Sequence, residues 1–281
     1  MMPASSARLF GVTPTCNRTP SYMTQHRLMA SFLGLTLLLL AACGEEPIVE
    51  VRPVPPPLNG TAFIDPDILT LQDSTALDSI FALGADSRDM YDGRVGDVGT
   101  YDVWLFQTDF DDGLSVVIQV NAEFDSTTAA DFATLYSRRL GVLPNVLRED
   151  LQTVSIHDGL EPFLAIGSGL IVHTDQAEDY RGQGFLEEVL AHEAVHVSLD
   201  ADHANSPGWI AAQESDPTFI SGIAQQFPRD EDLAETFGVW LASRWAGDGI
   251  TDFLRSLIDS AVPARLKYLD DQNFVMYPMG Q

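Results

Sequence analysis

The sequence predicts an α+β chain in which an N-terminal mixed or antiparallel sheet precedes a mainly helical C-terminal part. Three observations carry that expectation. Between Tyr101 and Thr174, Val, Ile, Trp, Phe and Tyr gather in short runs separated by Gly, Asp and Ser, the pattern of strands and turns. After Gly184 the apolar residues recur instead at three- and four-residue spacing, the period of an amphipathic helix. Strands first and helices afterwards, rather than in alternation, is the order of an α+β domain.

In chain order, Ala62 to Leu71 reads as a strand or loop and Thr75 to Leu83 as a short helix. Tyr101 to Thr108 and Leu114 to Ala122 form a β-hairpin across the acidic turn Asp109-Phe-Asp-Asp-Gly113. Ser126 to Gly141 is a helix with a Ser/Thr start and a Gly stop, turning Phe132, Leu135 and Leu140 inward. Thr153 to His157 and Phe163 to Thr174 are further strands, the second broken at Gly167-Ser-Gly169. Helices follow over Phe185 to Leu199, parts of Pro207 to Phe227, Asp230 to Ala246, and Ile250 to Val262. Asp230 is a candidate N-cap for the third of these.

Ahead of this domain, expected over residues 61–281, the sequence has a different character. Residues 1–22 show no hydrophobic period, and translation is expected to begin at Met23 or this stretch to be disordered. Residues 23–42 have a basic start with Arg27, an apolar run from Met29 to Leu40 and small residues at the end, the build of a secretory signal peptide. The run is short for a transmembrane span. Its end, Leu40-Ala41-Ala42-Cys43, resembles a bacterial lipobox, which implies acylation of Cys43 and attachment to a lipid bilayer. Gly44 after that Cys resembles lipoproteins sent on to the outer membrane, so a lipid-anchored place in the bacterial cell envelope is expected. Residues 43–60 are Pro-rich and are expected to form an extended tether. With Cys43 lipidated, Cys16 has no partner for a disulfide, and the core alone must hold the fold.

The net charge is −26, and residues 1–42 carry three arginines and no acid, so the chain from Cys43 onward stands at −29. A surface of that sign repels phosphate backbones, and nucleic acid is not an expected partner. The oligomeric state is not legible.

The chemistry is concentrated in His192-Glu193-Ala-Val-His196. Residues four apart share one face of a helix, so the two imidazoles can meet one metal ion while Glu193 stands beside them as a base for water. Leu186, Leu190, Ala194 and Val197 supply the opposite, core-facing stripe. A catalytic zinc site needs a third protein ligand and an open position. Leu199 and Asp202 occupy the places where an HExxHxxGxxH pattern would need Gly and His, which leaves His203, soon after the helix, and Glu235, at the start of the next packed helix. Asp200 and Asp232 could accept the second N–H of a ligand histidine.

Phe219-Ile-Ser221 followed by Glu231-Asp-Leu-Ala-Glu235-Thr-Phe237 resembles the second motif of zinc-binding metallopeptidase lipoproteins of the gluzincin type. The likeness spans about Leu186 to Leu241 and consists of two motifs. It implies a zincin-like fold, one Zn²⁺ and a peptide or protein substrate. It also implies His192, His196 and Glu235 as ligands, with His203 and Glu231 as alternatives, and Glu193 as the catalytic residue. Such sequences often carry a Tyr where this chain has Ile223. If that Tyr steadies the developing oxyanion, His203, Tyr180 or Tyr268 must replace it. Two rival functions share these motifs: a non-catalytic zincin-fold binding lipoprotein and a zinc-dependent cell-wall amidase.

Ile171 to His173 is expected either as an edge strand that pairs with extended substrate or as a core strand. Asp109, Asp111, Asp112 and Gly113 lack the spacing of a calcium loop and read as a polar turn. His157 and His173 read as structural. The sequence contains no GxSxG, no P-loop and no CxxC.

Overall fold

A computed structural model describes residues 54–62, 68–245 and 249–280. The leader, the lipobox with Cys43, and residues 43–53 of the tether lie outside the described residues. Among the described residues, no helix is long and apolar enough to cross a membrane.

The architecture is α+β, with one mixed six-stranded sheet and a helical second half. The strands are β1 (Leu77–Asp92), β2 (Asp97–Phe110), β3 (Ser115–Asn121), β4 (Thr153–His157), β5 (Leu164–Ile166) and β6 (Gly169–His173), in spatial order β1-β2-β3-β4-β6-β5. β1, β2 and β3 are antiparallel, β3, β4 and β6 run parallel, and β5 folds back antiparallel on β6. The helices are α1 (Ser126–Val142), α2 (Asn145–Arg148), α3 (Thr174–Gln183), α4 (Leu186–Ser198), α5 (Pro207–Ser215), α6 (Gly222–Gln226), α7 (Asp232–Trp245), α8 (Asp252–Ala261) and α9 (Pro263–Gln272). One turn of π-helix, Asp200–Ala204, continues α4.

The expected hairpin is β2–β3, and the expected helix over Ser126 to Gly141 is α1, capped by Asp125, whose carboxylate accepts from the N–H groups of Thr127 and Thr128. Thr75 to Leu83 is not helical. From Leu77 it belongs to β1, which pairs along its whole length with β2. Its Ala and Leu content favours helix locally, but the ladder offered by β2 overrides that preference. Most of β1 is exposed, so no burial alternation marks it as a strand. β6 is not an edge strand either, because β4 and β5 flank it; the free edge on that side belongs to β5.

The core joins the sheet to α1 and α4, and α4 in turn to α7. On α4, Leu186, Leu190 and Ala194 are at most 1% exposed, as the stripe predicts, and Val189, Ala191 and Val195 widen it. Burying a side chain such as Leu190 contributes roughly 1.5–3 kcal/mol, so this face fixes which side of α4 is left for chemistry. Gly184 at φ 84° ends α3 in the left-handed conformation that glycine adopts without strain, and so turns the chain into α4.

The last residues of the expected tether are docked. The Leu58 N–H donates to the Ile220 carbonyl (3.3 Å), and the N–H groups of Gly222 and Ile223 donate to the carbonyls of Leu58 (3.0 Å) and Gly60 (3.1 Å). Only residues before this point can act as spacer.

Candidate metal centre

α4 and α7 pack side by side and face each other with three donor atoms. His192 Nε2 and His196 Nε2 stand 3.2 Å apart. Glu231 Oε2 lies 3.3 Å from His192 Nε2 and 3.6 Å from His196 Nε2. All three atoms come within 4.8 Å of one another, a grouping of ligand types that could hold a metal ion. Bonds of 2.0–2.1 Å in tetrahedral directions put neighbouring ligand atoms about 3.3–3.4 Å apart. The observed triangle therefore has the size of one face of such a tetrahedron.

Each histidine turns its other nitrogen to an acid. His196 Nδ1 is 2.8 Å from Asp200 Oδ2, which the π-turn after α4 keeps on the same face as His196. His192 Nδ1 is 3.9 Å from Glu235 Oε1. Asp200 thus stands where the sequence expects a partner of a ligand histidine.

Glu231 occupies the position expected of Glu235. Glu235 follows one turn later on α7, is 2% exposed, and accepts the Ala62 N–H at 2.6 Å on Oε2. It is neither the atom beside both imidazoles nor a solvated acid at a helix start. The Glu235 N–H donates to the Glu231 carbonyl (3.0 Å), so Glu231, and not Asp230, is the residue that precedes the first turn of α7.

Three other expected positions change. Asp232 faces away from the histidines: it is fully buried, 3.2 Å from Arg265 Nε, and accepts from Gln213 Nε2 at 3.0 Å. This buried ion pair ties the start of α7 to α9. His203 is outside the cluster, with Nδ1 2.7 Å from the Tyr268 hydroxyl and its ring edge-on to Phe274. Its partnership also removes Tyr268, which contacts Ser206 as well, from the vicinity of the donors. Tyr180 alone of the three candidate substitutes lines a chamber with Glu193, His192 and Glu231. Its ring is held edge-on to Phe163 (5.2 Å) and against Phe185 (5.6 Å).

The electrostatics follow from burial and pairing. Burial pushes Glu193 up to about 7, although its carboxylate accepts the Ala165 N–H of β5. Burial likewise lifts Glu235 to about 7 against the help of Ser221 and the Ala62 N–H. Hydrogen bonds from His192 and His196 hold Glu231 well below the carboxylate range. Burial lowers His192. It also pulls on His196, but Asp200 and Glu231 outweigh it and carry that imidazole up to about 10. Burial and the charge of Glu193 raise the Tyr180 phenol.

The donors sit between two spaces. A cleft of about 510 Å³ carries Leu164 and Ala165 of β5 on one wall and Asp200, Asn205, Arg229 and Asp230 on the other. A second chamber of about 260 Å³ shares Phe163, His192, Glu193 and Glu231 with it and adds Tyr180, Val189, Ile223 and Phe227. The acidic hairpin turn is no ion site: Asp112 pairs with Arg148 (2.7 Å), Asp111 accepts from the Tyr277 hydroxyl (2.6 Å), and Asp109 accepts from Gln107. His157 and His173 are fully buried at neighbouring positions of β4 and β6, each near the Asp92 carboxylate and neither among the three clustered donors.

The class so defined is an α+β protein with a two-histidine, one-carboxylate cluster on two packed helices. Searches of family models, of curated proteins and of solved structures return no match to this chain.

Proposed function

We propose that this protein is a zinc-dependent peptidase of zincin-like fold, exported and held in the bacterial envelope by a lipid on Cys43. The convergence of His192 Nε2, His196 Nε2 and Glu231 Oε2 to separations of 3.2–3.6 Å carries the reading. Two imidazoles and one carboxylate are a donor set for catalytic zinc, and His192, His196 and Glu231, which also line the cleft, would hold it. A zinc ion bound there supplies Lewis acidity to the scissile carbonyl and acidifies water.

The chain's own groups do the rest. Glu193 takes the proton from the attacking water and later gives it to the leaving amine. Its burial supports this role, because a carboxylate lifted toward neutrality exchanges a proton more evenly than an ordinary one. The Tyr180 phenol, in the same chamber, donates to the oxygen that gains charge. The substrate backbone lies along β5, which no strand pairs on its outer side and whose Leu164 and Ala165 line the cleft, with the Ala165 N–H already given to Glu193. A binding protein without turnover has no use for a buried base at Glu193.

The test is zinc content and peptide cleavage in wild type and Glu193→Gln. The variant is expected to keep its zinc and lose about 10²- to 10⁴-fold in kcat. Equal cleavage by both proteins would remove Glu193 from the mechanism.

A further inference from the structure

A cavity of about 240 Å³ lies at the other end of α7 and shares no lining residue with the cleft or with the chamber beside Glu193. At 1.5 Å per residue, Trp245 stands roughly 20 Å along the helix from Glu231. The buried part of the cavity wall is aromatic: Trp240 is 4% exposed, and Phe274 stands edge-on to it with ring centroids 6.2 Å apart. Trp245 forms the outer part and leaves 38% of its surface uncovered. The main chain of Gly280 backs its ring, since a Cβ there would come 2.7 Å from Cζ3, and Gly280 sits at φ 79°, which glycine adopts without strain. The polar part of the wall is a closed pair. Asp270 accepts from Trp240 Nε1 (2.7 Å) and from Arg244 Nε (3.1 Å) and Nη2 (3.1 Å), and Asn273 stands beside them.

We propose that this cavity binds one ring of a neutral sugar, stacked on Trp245 and hydrogen-bonded to the Arg244–Asp270 pair. The proposal goes beyond the peptidase reading and does not depend on it. The space is smaller than the roughly 300–1,000 Å³ that takes a drug-sized ligand, and it suits a single ring. One face of a pyranose is a set of C–H groups, which cover an indole and meet its negative face. Its rim is a set of hydroxyls, each both donor and acceptor. Hydroxyls add to the Arg244–Asp270 pair through its remaining lone pairs and N–H groups, whereas an ion has to break it. A purely apolar guest, such as the aromatic side chain of a peptide, would strip water from Arg244, Asp270 and Asn273 and return no hydrogen bond. An anion meets a chain of net charge −26, with Asp259 already 3.4 Å from Arg244, and a cation meets the guanidinium itself. Ring and pair are fixed before the ligand arrives, so little ordering opposes binding.

Calorimetry and indole fluorescence on the full chain test it, with glucose, galactose, mannose, N-acetylglucosamine, cellobiose and chitobiose as probes. At least one is expected to bind with a Kd below about 10 mM. Trp245→Ala is expected to weaken that sugar at least about 10-fold, and Trp245→Phe, which keeps a ring, to weaken it less. Both variants are expected to keep the wild-type melting temperature, since the ring is partly exposed. A further readout needs no variant: saturation-transfer NMR on the wild type is expected to mark the C–H protons of the bound sugar ring most strongly. Should Trp245→Ala melt early, Trp245→Phe and the NMR decide. The proposal is overturned if no probe binds below about 10 mM, if wild type and Trp245→Ala bind alike, or if the ring C–H protons receive no saturation. It is overturned as well if N-acetyltryptophan amide binds at Trp245 more tightly than every sugar, which would assign the cavity to a peptide side chain. None of these results bears on the zinc cluster.

Discussion

Asp200 Oδ2 lies 2.8 Å from His196 Nδ1. That contact fixes the ring so that Nε2 points at His192 and Glu231, and it exists because the chain continues past α4 as a π-turn. Replacing Asp200 with Asn leaves the shape and removes the charge. Zinc affinity, measured by competition with a chromogenic chelator, is expected to fall about 10- to 100-fold in Asp200→Asn. An unchanged affinity would show that the ring needs no such partner.

Under the proposed function, zinc would have to displace a proton from this cluster. With His196 held up near 10 by Asp200 and Glu231, its imidazole is charged at pH 7 in the metal-free protein, yet a ligand nitrogen must be neutral. Calorimetric titration of zinc at pH 7 in buffers of differing ionisation enthalpy is expected to show release of about one proton per ion. A heat independent of buffer contradicts the pairing.

Without zinc, the two buried glutamates beside the cluster make stability decline as pH rises. Glu193 and Glu235 sit at about 7, above their ordinary value of 4.5, so the folded state binds more protons than the unfolded chain between those limits. Their contribution is therefore present at pH 4.5 and lost by about pH 7. His196 acts in the same sense over a higher window, stabilising fully below 6.5 and losing its contribution as pH passes 10. Burial lowers His157, His192 and His203, which act in the opposite sense over the same interval, so the expectation is a difference: from pH 5 to pH 8 the melting temperature of chelator-treated Glu193→Gln should fall less, or rise more, than that of wild type, and an unchanged pH dependence would contradict this environment.

Tyr180→Phe removes one hydroxyl from a ring already fixed by Phe163 and Phe185. Under the proposed mechanism kcat is expected to drop about 10²- to 10³-fold with KM and zinc content little changed. An effect on KM alone would make Tyr180 a wall of the chamber and nothing more.

The helix of His192, Glu193 and His196 was legible because its apolar stripe and its motif agree in period. β4 over Thr153 to His157 and the β2–β3 hairpin were legible for the same kind of reason. α3 was not, since Thr174–Gln183 buries only Thr174 and Ala177 and so shows no stripe. α9 was missed although Pro263 at its first turn is a start signal. The choice between Glu231 and Glu235 could not be read from spacing. Residues four apart share a face and differ by about one 5.4 Å turn, so which of them meets α4 depends on how far α7 slides along it. That slide is set at long range, by Asp232 on Arg265 and by Glu235 on the Ala62 N–H.

The central claim is that Glu231 completes the cluster and Glu235 stands behind His192. Zinc affinities of Glu231→Gln and Glu235→Gln, measured side by side against a competing chelator, test it most directly. The geometry predicts that Glu231→Gln loses more than about 100-fold, beyond what an outer partner is worth, while Glu235→Gln stays within about 100-fold of wild type. Wild-type affinity in Glu231→Gln together with loss of zinc in Glu235→Gln would contradict it.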